Sequence, residues 1–250
     1  TEKGRFPGHF TAGFEASDAL PRLVSIKAGT KVNVVPGKAK AAVEGFEMAS
    51  LEKAAAETKE ETGISFELAA EGTVTEITAT GIGAHASTPD VGNNALTGLL
   101  VFLGKLDFAS CPQVDMVRKT ASLFPHGDVN GKTLGVAMED ELSGNLTLSF
   151  NMLSVDAASM DGEFDGRIPV CGNDENVLEV VRARMAEQGL TLLNKALIPP
   201  HHVSADSYFV KTLLAAFELY TGRKGECQAL GGGTYVHHLE NGVAFGAAMP

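Results

Sequence analysis

His85 is the residue whose surroundings most favour chemistry, and it lies in the segment GIGAHASTP at residues 81–89. Small residues flank the imidazole on both sides, so the backbone can approach a ligand and the ring is not enclosed. A histidine placed in this way can donate a hydrogen bond to the oxyanion that develops when a carbonyl is attacked. The alternative is a histidine that only caps the helix predicted to begin at residue 93.

A glycine turn and a lone arginine could each bind an anion. The turn GGGT at residues 231–234 lies between a predicted strand and a predicted helix, where exposed amides attract negative charge. No Lys-Ser or Lys-Thr follows the glycines, so a carboxylate is a more natural ligand than a nucleotide phosphate. The alternative is a flexible connection. Arg167, at the end of a predicted strand, could bind a carboxylate through two parallel hydrogen bonds or simply pair with Asp165.

A metal site made from this chain alone is not favoured. His126 and Asp128 have the H-x-D spacing of a zinc pair, and Glu60 and Glu61 are adjacent carboxylates. Successive helical residues project about 100° apart, however, and these two glutamates lie at the charged end of a predicted helix. A solvated polar face explains them fully.

The composition excludes several classes of partner. The 250-residue chain carries 20 basic and 31 acidic residues, a net charge of −11, which disfavours binding to nucleic acid or to an anionic membrane. No apolar run reaches the roughly 18 residues that span a bilayer. The three cysteines stand far apart and in odd number, which indicates reduced thiols and a cytoplasmic location rather than a disulfide framework.

The residue pattern mixes strands and helices and predicts an α+β chain. Strands are predicted at residues 23–35, 72–82, 133–138, 144–155, 161–170, 190–197, 226–230 and 242–248. Helices are predicted at residues 48–62, 93–107, 112–123, 174–188, 205–221 and 234–239. A Pro-Pro linker at 199–200 favours an α+β domain over residues 20–197, preceded by a short segment (1–19) and followed by part of an α/β domain (198–250).

Several segments together resemble the co-catalytic zinc family of aminoacylases, carnosinases and bacterial dipeptidases. Residues 83–95 (GAHASTPDVGNNA) look like the lid-domain signature of that family. Residues 231–235 (GGGTY) and 241–246 (NGVAFG) are similar to the closing segment of the dipeptidase V type. AGTKVNVVP at 28–36 and GRIP at 166–169 fall in matching order, so the resemblance covers nearly the whole chain.

This resemblance implies a peptidase in which a hydroxide bridging two zinc ions attacks the scissile carbonyl. A glutamate acts as general base, and a separate lid domain closes over the substrate. Residues 20–197 would be the lid, an α+β domain of two sheet-and-helix subdomains that lets a monomer imitate a dimer. Residues 1–19 would end the first catalytic segment, and residues 198–250 would be part of the second.

The same resemblance implies roles for six residues. His85 would stabilise the oxyanion from the lid, and Asn33 would assist it or hold the substrate. Arg167 would bind the terminal carboxylate of a dipeptide, which would limit the enzyme to short unblocked peptides. The backbone amides of the turn in the catalytic domain would help Arg167 to bind that carboxylate. These amides are those of Gly232, Gly233 and Thr234.

The metal ligands, by this resemblance, lie outside the chain, upstream of Thr1 and downstream of Pro250. The family's H-x-D precedes its Glu-Glu pair, whereas Glu60-Glu61 here precedes the H-x-D at 126–128, so zinc ligation is transferred to neither. We therefore expect a piece of a dipeptidase, truncated at both ends, that binds no zinc and is inactive alone. Its partners would be the rest of the catalytic domain, which would bring two zinc ions, and a dipeptide substrate.

Two other functions stay open from the sequence. A non-catalytic α+β module for dimerisation or ligand binding would never have had a metal site. A complete hydrolase would instead use His126, Asp128 and the Glu60-Glu61 pair of this chain. The ends of the gene distinguish these functions, because a metallopeptidase of this family must supply H-x-D and Glu-Glu upstream and a histidine downstream.

Overall fold

The computed structural model describes residues 1–246 and shows a mixed α/β protein with one large antiparallel sheet. The strands are β1 (Gly4–Gly13), β2 (Arg22–Ala28), β3 (Val34–Val35), β4 (Lys38–Glu44), β5 (Ser65–Glu71), β6 (Val74–Thr80), β7 (Ala84–His85), β8 (Glu139–Asp140), β9 (Gly144–Asn145), β10 (Thr147–Val155), β11 (Ser159–Ile168) and β12 (Thr191–Leu192). The helices are α1 (Met48–Thr62), α2 (Ala95–Gly104), α3 (Pro112–Leu123), α4 (Glu179–Glu187) and α5 (Tyr208–Thr221). Eight strands form the main sheet, in the order β12-β1-β11-β10-β2-β4-β6-β5.

The main sheet consists of two halves with the same strand order. Half A comprises β2, β4, β6 and β5 with α1 and α2, and half B comprises β10, β11, β1 and β12 with α3 and α4. In half A the chain passes through β2, β4, α1 and β5, and in half B it passes through β10, β11, α4 and β12. In each half these three strands take the first, second and fourth places, counted from the seam between the halves. The third place is taken by β6 in half A and by β1, from the start of the chain, in half B. Three residue pairs between β2 and β10 join the halves.

The helices of both halves follow their sequence signals. The predicted helix at 48–62 is confirmed as α1, which buries Leu51, Ala54 and Thr58 along one stripe. It ends at Gly63, whose φ of 73° is left-handed and free of steric cost for glycine alone. The predicted helix at 112–123 is confirmed as α3, and the long apolar helix predicted from residue 93 is α2.

Aromatic side chains fill the core of half B. The ring of Phe124 lies between those of Phe10, Phe150 and Phe164, at centroid distances of 5.9, 4.4 and 5.5 Å. Phe10 projects from β1, along which every second residue is buried. Because successive side chains of a strand point to opposite faces, Arg5 of the same strand projects to the other side of the sheet. We call that side, opposite the helices, the outer face.

Several strand predictions were wrong in their positions. Residues 133–138 form turns rather than a strand, because the Asp128 carboxylate accepts the amides of Lys132 and Thr133 and folds the segment back. The strand predicted at 190–197 is confined to β12. Neither β1 nor β5 was predicted, since glycine and proline in one and alanine and glutamate in the other are poor strand formers. Pairing with neighbouring strands overrides that preference.

The last part of the chain is less regular than its sequence indicates. The helix predicted at 205–221 is confirmed as α5. Residues 226–230 form no strand. Leu230 exchanges backbone hydrogen bonds with Thr1 and Lys3, and the Gln228 carbonyl accepts from the amino group of Thr1, but no continuous ladder forms. Residues 234–239 form turns rather than a helix, and 242–246 form no strand. The rest of that predicted strand, and the predicted end of the fragment at 247–250, lie outside the described residues.

The predicted boundaries at 19/20 and 197/198 stay predictions. β1 pairs with β11 over all its ten residues, so the first segment shares the main sheet with the segment 159–168. The chain after β12 returns to β1 through bridges from Ile198 to Arg5 and from His201 to Glu2. Within residues 1–246, no helix has both the length and the apolar character needed to cross a membrane.

Candidate active site

A two-stranded ribbon brings His85 next to Asn33. Strand β3 pairs with β7, so that Val34 faces His85 across the ribbon. The amide of Ala86 donates to the backbone carbonyl of Asn33 at 3.0 Å. Two of the residues predicted to act together, about fifty positions apart in the chain, are therefore held side by side by main-chain hydrogen bonds.

The hydrogen bonds of His85 determine which ring nitrogen carries its proton. The Ser87 amide donates to Nδ1 at 3.1 Å, and the Ser87 hydroxyl lies 2.7 Å from the same atom. A backbone N–H can only donate, so Nδ1 accepts and the neutral ring has its proton on Nε2. The ring is exposed, and Asn94 rather than His85 caps α2. His85 therefore presents a free N–H donor to solvent, and the capping alternative is wrong.

Arg167 forms a buried ion pair with Asp165 on the outer face of half B. The guanidinium donates from Nε and Nη2 to the two carboxylate oxygens, and the side chains are only 5% and 0% exposed. Burial raises the pKa of Asp165, while the hydrogen bonds from Arg167 and the nearby charges of Arg167 and Arg5 oppose that shift. The pairing alternative considered for Arg167 is confirmed.

The glycine turn lies directly against Arg167 and the His85 loop. Arg167 donates from Nη1 to the carbonyl of Gly231 at 3.0 Å. A side chain at position 231 would bring its first carbon to 3.0 Å from Cβ of Ser87, and one at 232 to 2.5 Å from Nη1 of Arg167. The absence of side chains at Gly231 and Gly232 thus allows the turn to approach. Residues from three distant parts of the sequence meet here.

A carboxylate of the chain itself occupies the far end of the glycine turn. Glu2 accepts hydrogen bonds from the amide and hydroxyl of Thr234 and lies 2.8 Å from Nδ1 of His237. Burial would raise the pKa of Glu2, but the hydrogen bonds from Thr234 and His237 outweigh it and lower that pKa. A residue at position 233 with a side chain would meet the His237 ring at 3.0 Å. The Thr234 amide does bind a carboxylate, but that carboxylate is Glu2, so contact with a substrate requires Glu2 to release it.

Comparison with known proteins relates the whole chain to bacterial dipeptidases. The protein named "Putative dipeptidase YtjP" in Bacillus subtilis (strain 168) is 34% identical over 259 residues, covering 100% of this chain and 53% of that protein. The Beta-Ala-Xaa dipeptidase of Lactobacillus delbrueckii subsp. lactis is 32% identical over 251 residues, covering 98% of this chain and 52% of that protein. The chain belongs to this dipeptidase V-like family.

This dipeptidase-family chain spans about half the length of the curated relatives it matches. No protein-family model matches it. Among solved structures, the aminoacylhistidine dipeptidase from Vibrio alginolyticus is 11% identical with a TM-score of 0.45, covering 92% of this chain and 51% of that chain. A TM-score of this size does not establish a common fold.

The described residues include no ligand set for the zinc ions that the resemblance to dipeptidases implies. Nowhere in residues 1–246 do three histidine, cysteine, aspartate or glutamate side chains come together in a way that could hold a metal ion. The Asp128 carboxylate is engaged by loop amides, and Glu61 pairs with Lys105 at 2.9 Å. His126 bonds to the Thr97 hydroxyl at 2.9 Å, and burial lowers its pKa. The side chains present do not fit a zinc site.

Sequence reasoning missed two charged residues of this dipeptidase-family site. Glu2 occupies the Thr234 amide, and Arg5 lies opposite Arg167 in the register of β1 and β11. The signal that could have found Arg5 is the alternation of β1, in which every second residue, including Phe6 and Phe10, is buried and the residues that alternate with them, including Arg5, face outward. No local signal distinguishes Glu2, because its partners are more than 230 positions away.

Proposed function

We propose that this chain forms the carbonyl-binding and carboxylate-binding surface of a dipeptidase that hydrolyses short unblocked peptides. The observation that carries the proposal is that the turn at 231–232 contacts both Ser87 of the His85 loop and Arg167, which pairs with Asp165. The relatives named dipeptidases support the reaction class. Together the residues offer an imidazole N–H donor and a guanidinium group within one surface.

His85 has the chemical form that oxyanion stabilisation requires. Its Nε2–H points away from Ser87 and can donate to the carbonyl oxygen of a peptide bond as negative charge develops there. We assign Asn33, held next to His85 through Ala86, to orienting the same substrate.

Recognition of a free carboxylate would restrict the substrate to short peptides. A dipeptide has its terminal carboxylate one residue from the scissile bond, so a cationic group at a fixed distance from His85 selects that length. The Arg167 region, with the amides of Gly232 and Gly233, lies beside the His85 loop. Residues 1–246 hold no zinc ligand set, so the proposed binding of the substrate carbonyl and carboxylate involves only groups of this chain.

The dipeptidase proposal is tested by replacing His85 with alanine in the complete gene product. We expect kcat for an unblocked dipeptide to fall by about 10²–10³-fold with a small change in KM, the scale of losing one oxyanion donor. His9→Ala is the matched control, because His9 is a half-exposed histidine that pairs with Asp161 on the sheet surface. An unchanged kcat removes His85 from the chemistry, and no hydrolysis at any zinc concentration favours the non-catalytic module.

We further propose a cytoplasmic location. Cys111, Cys171 and Cys227 are all free, as expected for a protein of a reducing compartment. Fractionation of cells that produce the protein, followed by immunoblotting, tests this proposal. Recovery in a secreted or periplasmic fraction contradicts it.

A further inference from the structure

We infer that Asn151 is a positioning residue that sets where Asn33 and His85 lie relative to Arg167. The inference rests on the proposed function, because those three residues are the ones that would hold the substrate. Asn151 belongs to strand β10 of half B, whereas Asn33 and His85 lie on segments that connect elements of half A. Asn151 would therefore fix the spacing between the groups that bind the carbonyl and the group that binds the carboxylate.

Asn151 is the extra residue of a β-bulge. Strand β10 pairs with β11 at Phe150 and again at Met152, and these two residues lie opposite neighbouring residues of β11. Asn151, between them, has no partner on β11. A bulge takes its extra residue out of the ladder and can re-aim its side chain. The Asn151 side chain is thus released from the alternation of its strand, and it is fully buried.

The side chain of Asn151 crosses the seam to the segment that carries Asn33. Its Nδ2 donates to the backbone carbonyl of Val32, a residue 119 positions earlier in the chain. The carbonyl of the next residue, Asn33, accepts the amide of Ala86 at 3.0 Å, and Ala86 directly follows His85. One hydrogen bond of Asn151 therefore holds the main chain to which both Asn33 and the His85 loop are attached.

The same bulge is also held by residues of half A. Asn94, at the end of the His85 loop, donates from Nδ2 to the carbonyl of Phe150 at 2.8 Å. A β-carbon at Gly29 would lie 2.0 Å from the backbone oxygen of Asn151, so the main chain of half A lies directly on the bulge. The bulge is therefore the place where the Asn33 segment and the His85 loop are both fixed to half B.

Strand β10 connects this place to Arg167. Thr147, four residues before Asn151 on the same strand, lies opposite Arg167 in the register of β10 and β11. The bulge and Arg167 thus share one hydrogen-bonded ladder. A dipeptide must meet the carbonyl-binding and carboxylate-binding groups together, and a misplacement of about 1 Å can cost about 10²-fold in rate.

The hydrogen bonding of Asn151 argues against a role in stability alone. Its Nδ2 makes one hydrogen bond, while its Oδ1 is buried and has no partner among the described residues. An unpaired buried acceptor costs at least as much free energy as one hydrogen bond contributes on balance, so the side chain adds little net stability. What Asn151 supplies is the position of the Val32 carbonyl.

The first test compares hydrogen exchange in variants of the complete gene product. Asn151→Leu keeps the size of the side chain and removes the donor and the unpaired acceptor together. We expect the Ala86 amide to exchange at least about tenfold faster while the unfolding midpoint is unchanged, because its acceptor Asn33 is no longer held. Asn151→Ser, which cannot overpack the seam, should have the same effect. Asn194→Leu is the matched control, since Asn194 also donates a side-chain amide to a backbone carbonyl, that of Pro7.

The second test measures selection of substrate length. Glycyl-β-alanine has its carboxylate one methylene further from the peptide bond than glycylglycine has. We expect the unsubstituted protein to prefer glycylglycine in kcat/KM by at least about tenfold, and both Asn151 variants to reduce that preference below about threefold. Asn194→Leu should keep the preference. A defect in folding alone would lower kcat/KM equally for the two dipeptides and would leave their ratio unchanged.

Three results overturn the inference. The first is an Ala86 exchange rate that is unchanged in both Asn151 variants. The second is faster exchange with the preference for glycylglycine intact, and the third is the lack of any preference in the unsubstituted protein. A protein that hydrolyses neither dipeptide defeats the proposed function instead, and the exchange rates still decide whether Asn151 holds the Asn33 segment.

Discussion

The two halves of the main sheet share a strand order but differ on their outer faces. In half A that face carries an exposed ion pair, Lys40 with Glu76, whose side chains are 55% and 48% exposed. In half B it carries the buried pair of Arg167 and Asp165. The glycine turn at residue 231 covers half B at this position.

The difference shows that the environment of an ion pair in this fold follows from what covers the sheet rather than from the sheet itself. An exposed ion pair is solvated in both partners and contributes little to stability. An ion pair that is buried under a cover of backbone is held in one geometry, because each charge needs its partner there. Such a pair can then hold a loop or a ligand in place. Among residues 1–246, no segment covers the Lys40–Glu76 pair of half A in this way, and none of the predicted substrate-binding residues projects from the outer face of that half.

The largest expected effect compares these two ion pairs directly. Arg167→Met leaves the fully buried carboxylate of Asp165 without its partner and should lower the free energy of unfolding by about 3–5 kcal/mol. Lys40→Met should lower it by less than about 1 kcal/mol. Urea denaturation of both variants gives the comparison. Equal losses in the two variants would mean that the cover of half B does not exclude water. Adding Asp165→Asn to Arg167→Met should recover part of the lost stability.

The seam between the halves gives the next effect. Gly29 has a φ of 78°, and a β-carbon there would lie 2.0 Å from the backbone oxygen of Asn151 in half B. Gly72, at the tip of the β5–β6 hairpin of half A, has a φ of 65° and nothing within 4 Å. We expect Gly72→Ala to cost about 1 kcal/mol from backbone strain and Gly29→Ala about 3 kcal/mol, because overpacking adds to the strain. Thermal unfolding of the two variants measures the difference, and similar values would show that the seam adjusts freely.

The smallest effect is a pH dependence with the same sign in both halves. Burial would raise the pKa of Asp140 beside half B, but hydrogen bonds from Ser143, Cys171 and Leu142 lower that pKa to about 2 from an ordinary value of 3.8. A depressed folded-state pKa stabilises the protein above the unfolded value, and this stabilisation is lost as the pH falls from about 4 to about 2. Asp140→Asn should therefore be less stable at pH 7 and should converge with the unsubstituted protein towards pH 2.

Glu44 is the counterpart of Asp140 in half A. Hydrogen bonds from Thr73 and then Arg22 lower its pKa, so Glu44→Gln should show a loss of the same sign that also fades in acid. Unfolding midpoints in denaturant, measured at several pH values from 7 to 2, test both variants. A stability difference for Asp140→Asn that stays constant down to pH 2 would show that the carboxylate does not carry those hydrogen bonds.

Local sequence signals predicted the helices better than the strands. Helix α1 was predicted with its bounds because its alanine, glutamate and lysine content and Gly63 act within the helix itself. Strands β1 and β5 were missed because a strand is stabilised by its neighbours, which are remote in sequence. The turns at 133–138 depend on one side chain, Asp128, accepting amides further along the chain.

Local sequence is enough to identify the residue types of the candidate site, since His85, Arg167 and the glycine turn are all recognisable in their local surroundings. It also determined the dipeptidase-like family and the mixture of helices and strands. Three features follow from tertiary contacts instead: Asp165 neutralises Arg167, Glu2 occupies the Thr234 amide, and Arg5 lies beside both Arg167 and Asp165. The physical reason is that charge pairing and hydrogen bonding depend on distances in space. Strand register and the approach of residue 231 to residue 167 set those distances, and neither is encoded within a short segment.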